Sequence, residues 1–280
     1  MCTGLRSILP LRESVEILIF TKALLFVSST APVANWIVRL CDVAPDGTVT
    51  QVTGAGENGA QRVSARDPKA IEPGQPFALE IEMHFTSWVF PKGHRIRLSI
   101  SNAQWPMLWP TPYAATTSLF LGPDGSTLAL PVVPSGDASR PAPSYPPIPE
   151  KEPPLPGYEA LAMETPSNYG EVSSIDRNPR TGAATVIANN ESAHRYPWGE
   201  QRYTEKFTHQ AENGQPEKAS VRGDYAIEVK LPDRMLRWES VVIFSSDRER
   251  FRYQGTRKVF ENGKLVREKS WDQAIPRDFQ

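Results

Sequence analysis

The chain has 280 residues, of which 39% are hydrophobic, and its net charge is −1 at pH 7. This length predicts two domains, and the hydrophobic content is sufficient for each domain to bury a core. The near-neutral charge argues against binding of nucleic acid through a basic field. The 27 prolines and 18 glycines require many turns, which favours β-strands over a helix bundle.

The apolar run at 17–29 is the only segment near the N-terminus that resembles a membrane or targeting signal. It is interrupted by Lys22 and is too short to span a bilayer. A secretory leader is left open, although charged residues lie close to the run. Without a signal or anchor we expect a cytoplasmic protein that lies in no membrane. Cys2 and Cys41 are expected to stay reduced there, without a disulfide between them.

Hydrophobic alternation predicts β-strands throughout the first segment. Residues 77–86 alternate between apolar and polar side chains, which predicts one strand with a buried and a wet face. The pattern restarts after Gly93, which places His94 on the apolar face of a second strand. Turns are predicted at Asp46-Gly47 and Asp124-Gly125. Further strands are expected at 24–29, 35–43, 48–53, 116–121 and 127–133, and about eight strands of this kind favour a sandwich or jelly roll.

A proline-rich segment then interrupts the strand pattern. Ten of residues 131–157 are proline, and proline cannot donate to a strand ladder. We therefore predict a β-sandwich at 1–134, a linker at 135–157 and a second domain at 158–280. A ligand for SH3 or WW domains is the alternative interpretation of the linker.

The second domain is also predicted to consist of β-strands. Residues 225–231 and 236–244 alternate, and the triplets Glu212-Asn213-Gly214 and Glu261-Asn262-Gly263 are typical hairpin turns. Long strands joined by tight turns predict a curved antiparallel meander. The fold class is therefore all-β in both domains.

The sequence lacks the common catalytic patterns. No G-x-S-x-G, H-E-x-x-H, C-x-x-C or P-loop occurs, so we predict no catalytic residue, no metal and no cofactor. Residues 54–59 satisfy G-x-G-x-x-G, but prolines follow soon afterwards and leave no room for the helix that holds a pyrophosphate. We interpret this stretch as a flexible glycine-rich loop.

Two tryptophans are the candidate binding residues. Trp105 and Trp109 lie in a proline-broken loop, where indole rings could stack on a sugar or anchor a partner protein. Alternatively they cover one end of the core. The basic and aromatic stretch 248–258 could form a nucleic-acid platform. Its acidic neighbours favour a solvated strand face instead.

Several motifs together resemble one known family. These are L-F-V-S-S-T-A-P at 25–32, L-C-D-V-x-P-D-G at 40–47, E-P-G at 72–74 and V-F-x-x-G-H-R-I-R-L-S-I-S at 89–101. In this combination the sequence is similar to the C-terminal, non-catalytic domain of the Xaa-Pro dipeptidyl-peptidase and cocaine esterase (CocE/NonD) family of serine hydrolases. The similarity spans 11–133. The tail of the chain, which ends with the stretch 262–280, looks like an extra β domain found in some longer members.

The resemblance implies a jelly-roll-like, galactose-binding-like sandwich packed against an α/β-hydrolase domain, which carries the catalytic Ser, Asp and His. No catalytic residue is therefore transferred to this chain, and we expect no activity from it alone. The family usually has a glycine where this chain has Ile19 and often a proline where it has Thr21.

His94 lies in the family's G-H-R-I-R strand, which is structural there. A lone histidine on an apolar strand face is usually buried and hydrogen-bonded, and we predict this role for His94.

The expected partner is an α/β-hydrolase catalytic domain, whose active site this region would cover and shape; its substrates would be peptides cleaved after proline, esters or amides. A homo-oligomer is left open. The alternative is a stand-alone module that binds carbohydrate or protein through Trp105 and Trp109.

Overall fold

The computed structural model describes residues 4–7, 9–134, 144–147, 155–163 and 173–280. The chain forms two compact units. The first comprises Met1–Pro143 with Phe279–Gln280, and the second comprises Ser144–Asp278. Most of the predicted linker, at 135–143 and 148–154, lies outside the described residues. No helix in the described ranges is long and apolar enough to cross a bilayer.

In its described residues, the first unit contains ten strands and one short 3-10 helix, Gly59–Gln61. The strands are β1 Gly4–Ser7, β2 Val15–Ile19, β3 Lys22–Ser29, β4 Asn35–Val43, β5 Val49–Asn58, β6 Phe77–Glu82, β7 Thr86–Phe90, β8 Arg95–Ser101, β9 Thr117–Phe120 and β10 Thr127–Ala129.

These strands form three antiparallel sheets around one core. One sheet has the order β1-β8-β4-β5, a second has β10-β3-β6 with β9 also paired to β3, and a third consists of β2 and β7. A single hydrophobic cluster includes Leu25 from the second sheet, Val38 and Ile100 from the first, and Ile17 and Phe90 from the third. The all-β sandwich predicted from alternation is confirmed.

The predicted single strand at 77–86 is wrong, because the chain divides there into β6 and β7. At the break, the Met83 amide donates to the Thr21 carbonyl at 2.8 Å, and the Thr53 hydroxyl donates to the His84 carbonyl at 2.8 Å. These bonds take the backbone away from β3 and onto β2. The apolar–polar pattern of the sequence continues across the break to Phe85 and Thr86, so it could not reveal the change of partner. In the structure the phase of burial changes there, because Phe85 is exposed and Thr86 is buried.

Within the ranges that the structure describes, the second unit is an antiparallel sheet of eight strands. The strands are β11 Glu159–Ala160, β12 Ser173–Arg177, β13 Ala183–Tyr196, β14 Gly199–Glu212, β15 Ser220–Lys230, β16 Met235–Ser246, β17 Arg250–Glu261 and β18 Lys264–Pro276. From β13 to β18 each strand pairs with the next, and β11 and β12 both pair with β13. The predicted meander is confirmed.

Both predicted hairpin turns are present, but the connections differ in length. Asn262 and Gly263 have φ values of 50° and 78°, as a two-residue type I′ turn requires, so the turn between β17 and β18 is confirmed. Asn213 and Gly214 are the central residues of a turn that the Gln215 amide closes on the Glu212 carbonyl at 3.1 Å, and the strands on either side of it, β14 and β15, pair antiparallel. This second connection is longer, because the Lys218 amide closes another turn on the Gln215 carbonyl and β15 begins only at Ser220.

Candidate functional site

The first candidate site joins two of the sequence motifs through a carboxylate. Asp42, on the buried strand β4, is 5% exposed. Its Oδ1 lies 2.8 Å from His94 Nδ1, and its Oδ2 accepts a hydrogen bond from Trp88 Nε1 at 3.2 Å. The hydrogen bond predicted for His94 is confirmed, although His94 precedes β8 instead of lying within it.

This cluster has the form of an acid–histidine pair, but it lacks a nucleophile motif. Catalysis by such a pair needs a serine or cysteine held against the other imidazole nitrogen, and the sequence contains no nucleophile elbow. What Asp42 does is connect β4 to β7 and to the turn before β8. Sequence reasoning did not identify Asp42, although an aspartate inside the apolar run Leu40–Val43 was a signal for a buried polar bond.

The tryptophan loop is packed on itself. The rings of Trp105 and Trp109 meet edge to face, with centroids 5.2 Å apart, and both residues are half-buried. Two perpendicular rings do not offer one flat platform to a sugar. Met107, between them in sequence, is 76% exposed. Contact of this loop with a carbohydrate or protein stays a prediction.

The G-x-G-x-x-G stretch is not the flexible loop that we expected. Gly54 and Gly56 lie within β5, and Gly59 begins the 3-10 helix. A Cβ atom on Gly54 would lie 2.7 Å from the Val38 carbonyl oxygen. These glycines therefore allow β5 to approach β4 closely.

Among the described residues, no group of three or more histidine, cysteine or acidic side chains is placed to hold a metal ion. The Cys41 thiol is buried and donates a hydrogen bond to the Arg39 carbonyl at 3.8 Å.

The second unit has two chemically different faces. Arginine, lysine and acidic side chains on one face form ion pairs. Arg237–Glu228, Arg252–Asp272 and Lys258–Glu268 join neighbouring strands, and Arg222–Asp224 lies within β15. Within the stretch 248–258, Arg252 and Lys258 belong to this face. This arrangement agrees with the solvated strand face that we predicted there.

The other face of this sheet is apolar and forms a groove. A cavity of about 670 Å³ is lined by Phe207, Tyr225, Ile227, Trp238 and Val242, together with Glu205 and Arg257. This volume lies in the range of small-molecule sites. Sequence reasoning missed the groove, although the alternation of β14 already placed Glu205 on the same face as Phe207.

Glu205 lies beside Tyr203 at the groove. Burial, followed by a side-chain hydrogen bond to Glu205, raises the pKa of Tyr203 well above its usual value, so the phenol stays protonated.

Comparison with known proteins identifies the first unit. Residues 7–127 match the X-Pro dipeptidyl-peptidase C-terminal non-catalytic domain. The chain is also 34% identical over 96 residues to cocaine esterase from Rhodococcus sp. (strain MB1 Bresler). That alignment covers 34% of this chain and 17% of the esterase.

Several solved structures are also similar to part of this chain. An alpha-amino acid ester hydrolase is 24% identical with a TM-score of 0.45, covering 46% of this chain and 25% of its own. An aminopeptidase from a marine sediment Thaumarchaeota archaeon is 19% identical with a TM-score of 0.45 and the same coverage. A CocE/NonD family hydrolase from Staphylococcus aureus is 12% identical with a TM-score of 0.40, covering 46% of this chain and 30% of its own.

The matched segment contains β2 to β9 of the sandwich and the Asp42–His94 cluster that joins two of the family's motifs. Residues 7–127 of this chain are therefore a C-terminal, non-catalytic domain of the X-Pro dipeptidyl-peptidase and cocaine esterase family.

Proposed function

We propose that the first unit covers and shapes the active site of an α/β-hydrolase catalytic domain that acts on peptides after proline, or on esters or amides. The observation that carries this proposal is the match of residues 7–127 to a non-catalytic domain. The catalytic Ser, Asp and His would belong to the hydrolase domain. This chain would contribute a surface beside the substrate.

An apolar patch on the sandwich supports a protein partner. Leu24 and Phe26 of β3 and Phe120 of β9 are exposed on the outer face of their sheet, and the rings of Phe26 and Phe120 lie 5.4 Å apart. We call these three residues the outer patch. Contiguous apolar surface with a charged rim marks interaction sites, and Lys22, paired with Glu80 and Glu82, supplies the rim.

The test is to purify the native product from the source cells and measure its intact mass and composition. We expect an α/β-hydrolase sequence with G-x-S-x-G, either joined to this chain in one polypeptide or bound to it as a second chain. The isolated 31.2 kDa chain should not cleave Xaa-Pro anilides or aryl esters, whereas the assembled product should.

A charge in the outer patch should weaken the assembly. Phe120→Glu should lower the activity of the assembled product, because it buries a carboxylate against the partner. Leu265→Glu, at an exposed position of the second unit, is the matched control and should not change activity. Hydrolysis by the isolated chain with contamination excluded, or a native product without any α/β-hydrolase, would overturn the proposal.

The alternative function is a stand-alone binding module that uses Trp105 and Trp109. The observation in its favour is the pair of exposed side chains beside the tryptophans, Met107 and Leu108. A glycan array probed with the full chain tests the carbohydrate form of this idea. Binding that is lost in Trp109→Ala would support it, and an array without binding would argue against it.

A further inference from the structure

A row of polar side chains crosses the apolar face of the second unit. Strand pairing places six residues side by side on neighbouring strands, one from each of β13 to β18. In order they are Asn190, Glu205, Tyr225, Ser240, Arg257 and Lys269. We call this set the polar row. It runs perpendicular to the strands and through the groove.

Apolar side chains flank the polar row on both sides. Two positions towards one end of the strands, the neighbouring row contains Phe207 and Val242; two positions towards the other, it contains Ile227 and Trp238. All four line the same cavity. A molecule in the groove would therefore meet polar groups beneath it and apolar side chains along both edges.

The charges of the polar row are not paired with each other. On the opposite face, Arg252 and Lys258 each have a carboxylate partner on β18. In the row, Arg257 and Lys269 lie against the ring of Trp271 at 6.0 and 5.0 Å. No ion pair joins Glu205, Arg257 or Lys269 to another described residue. The polar row thus has one carboxylate towards one side of the sheet and two cations towards the other, and of these Glu205 and Arg257 line the cavity. Two further acidic residues that border the cavity, Asp224 and Glu239, are already paired with Arg222 and Arg237.

We propose that this groove binds a short zwitterionic molecule with an apolar body, of the length of a tripeptide or tetrapeptide. Its ammonium group would face Glu205, and its carboxylate would face Arg257 and Lys269. Its apolar side chains would lie against Phe207 and Trp238. This proposal does not depend on the function proposed for the first unit.

Dimensions support this length. Glu205 and Arg257 lie on β14 and β17, and three strand spacings separate their backbones by about 14 Å. Their side chains occupy part of this distance. An extended peptide covers about 3.5 Å per residue, so three or four residues fit between the charges. The cavity of about 670 Å³ accommodates a molecule of that size.

The experiment is calorimetric titration of the full chain with trileucine, its N-acetylated form and its C-terminal amide. We expect trileucine to bind and each blocked form to bind about tenfold more weakly, the loss for one charged contact. Glu205→Gln should weaken binding of trileucine but not of the N-acetylated peptide. Arg257→Gln should weaken binding of trileucine while leaving the amide unaffected.

Matched variants on the opposite face control for general charge effects. Glu228→Gln and Arg252→Gln should leave the affinity for trileucine unchanged, and circular dichroism should show that all four variants are folded. The proposal is overturned if trileucine does not bind up to its solubility limit. It is also overturned if decylamine or decanoate binds as tightly as trileucine, or if Glu205→Gln weakens both the free and the acetylated peptide equally.

Discussion

A Cβ atom on Gly59 would lie 2.5 Å from Cζ3 of Trp36. Trp36 is 1% exposed and is the largest fully buried side chain of the first unit. The Gly59 amide donates to the Ala34 carbonyl at 2.9 Å, so the backbone is fixed where it passes over the indole ring. This contact explains why residue 59 is glycine without any role in nucleotide binding. A pyrophosphate loop would need an α-helix after it, and this segment forms only the short 3-10 helix Gly59–Gln61.

Gly59→Ala should therefore destabilise the first unit. A new methyl group would have to displace the indole or the backbone, and overpacking of this kind costs about 1–3 kcal/mol. The measurement is urea unfolding of the full chain, followed by hydrogen exchange in peptides from β4 and β5. These peptides report on the first unit separately from the second.

Gly56→Ala provides the comparison. A Cβ atom there would lie 3.2 Å from Cδ1 of the exposed Leu108 and 3.3 Å from Cγ1 of the buried Ile37. Both contacts are longer than the 2.5 Å contact at Gly59, so the neighbouring side chains need to shift less. We expect a smaller loss of stability than at Gly59. Equal losses at the two positions would contradict the packing argument.

Removal of the Asp42 carboxylate should be more costly than removal of the His94 imidazole. Asp42→Ala leaves both Trp88 Nε1 and His94 Nδ1 without their acceptor, and lost bonds to a buried charge cost about 2–3 kcal/mol. His94→Gln removes only one of the two bonds. Denaturant unfolding, followed by hydrogen exchange in peptides from β4 and β7, measures the loss of stability in each of the two variants.

Asp42→Asn is the matched variant for charge. Its amide oxygen can still accept one hydrogen bond, so its loss of stability should lie between those of Asp42→Ala and the unaltered chain. If Asp42→Ala were as stable as the unaltered protein, the cluster would not be structural. A chemical role for His94 would then be the remaining explanation for its hydrogen bond to Asp42.

The fold could be predicted in large part because the alternation of apolar and polar residues along a strand shows which of its side chains are buried. In β16, Leu236, Trp238 and Val242 share one face as their spacing of two residues requires, and the Asn262-Gly263 turn follows from positive φ. Alternation does not specify the partner of a strand. The division between β6 and β7 depends on tertiary hydrogen bonds, from Met83 to Thr21 and from Thr53 to His84, which a local pattern does not record.

The groove of the second unit was less predictable, because a local sequence pattern does not specify which strands pair. The polar row exists only because five strand pairings align Asn190, Glu205 and the others. These residues lie far apart in the chain, so no short motif contains them. Trp105 and Trp109 attracted attention as large aromatic residues in a loop, but side-chain type alone did not predict that the rings would pack on each other.

Ile19→Gly should stabilise the first unit. Ile19 has a φ of 92°, which is strained for a β-branched residue, and the similar family usually has glycine there. Because its side chain is 51% exposed, little packing is lost. Relief of about 1–2 kcal/mol exceeds the added entropy of the unfolded chain, about 0.5–1 kcal/mol. Leu18→Gly, at the preceding position of β2, is the control and should destabilise the first unit. If thermal unfolding showed a loss of stability for both variants, the claim that the backbone is strained at Ile19 would be contradicted.

The pair formed by Arg252 and Asp272 should be visible in the acid titration of the second unit. Arg252 donates to Asp272 at 2.7 and 3.0 Å, and this bond is the main cause that lowers the pKa of the Asp272 carboxyl from 3.8. Because the folded-state pKa is depressed, the contribution to stability is complete above the unfolded value. It is lost as the pH falls through the folded value. In Arg252→Gln, carboxyl NMR should show the Asp272 pKa rising towards 3.8, whereas Arg222→Gln, which removes a cation from another pair on the same face, should leave it unchanged. An Asp272 pKa that does not respond to Arg252→Gln would show that the pair does not persist in solution.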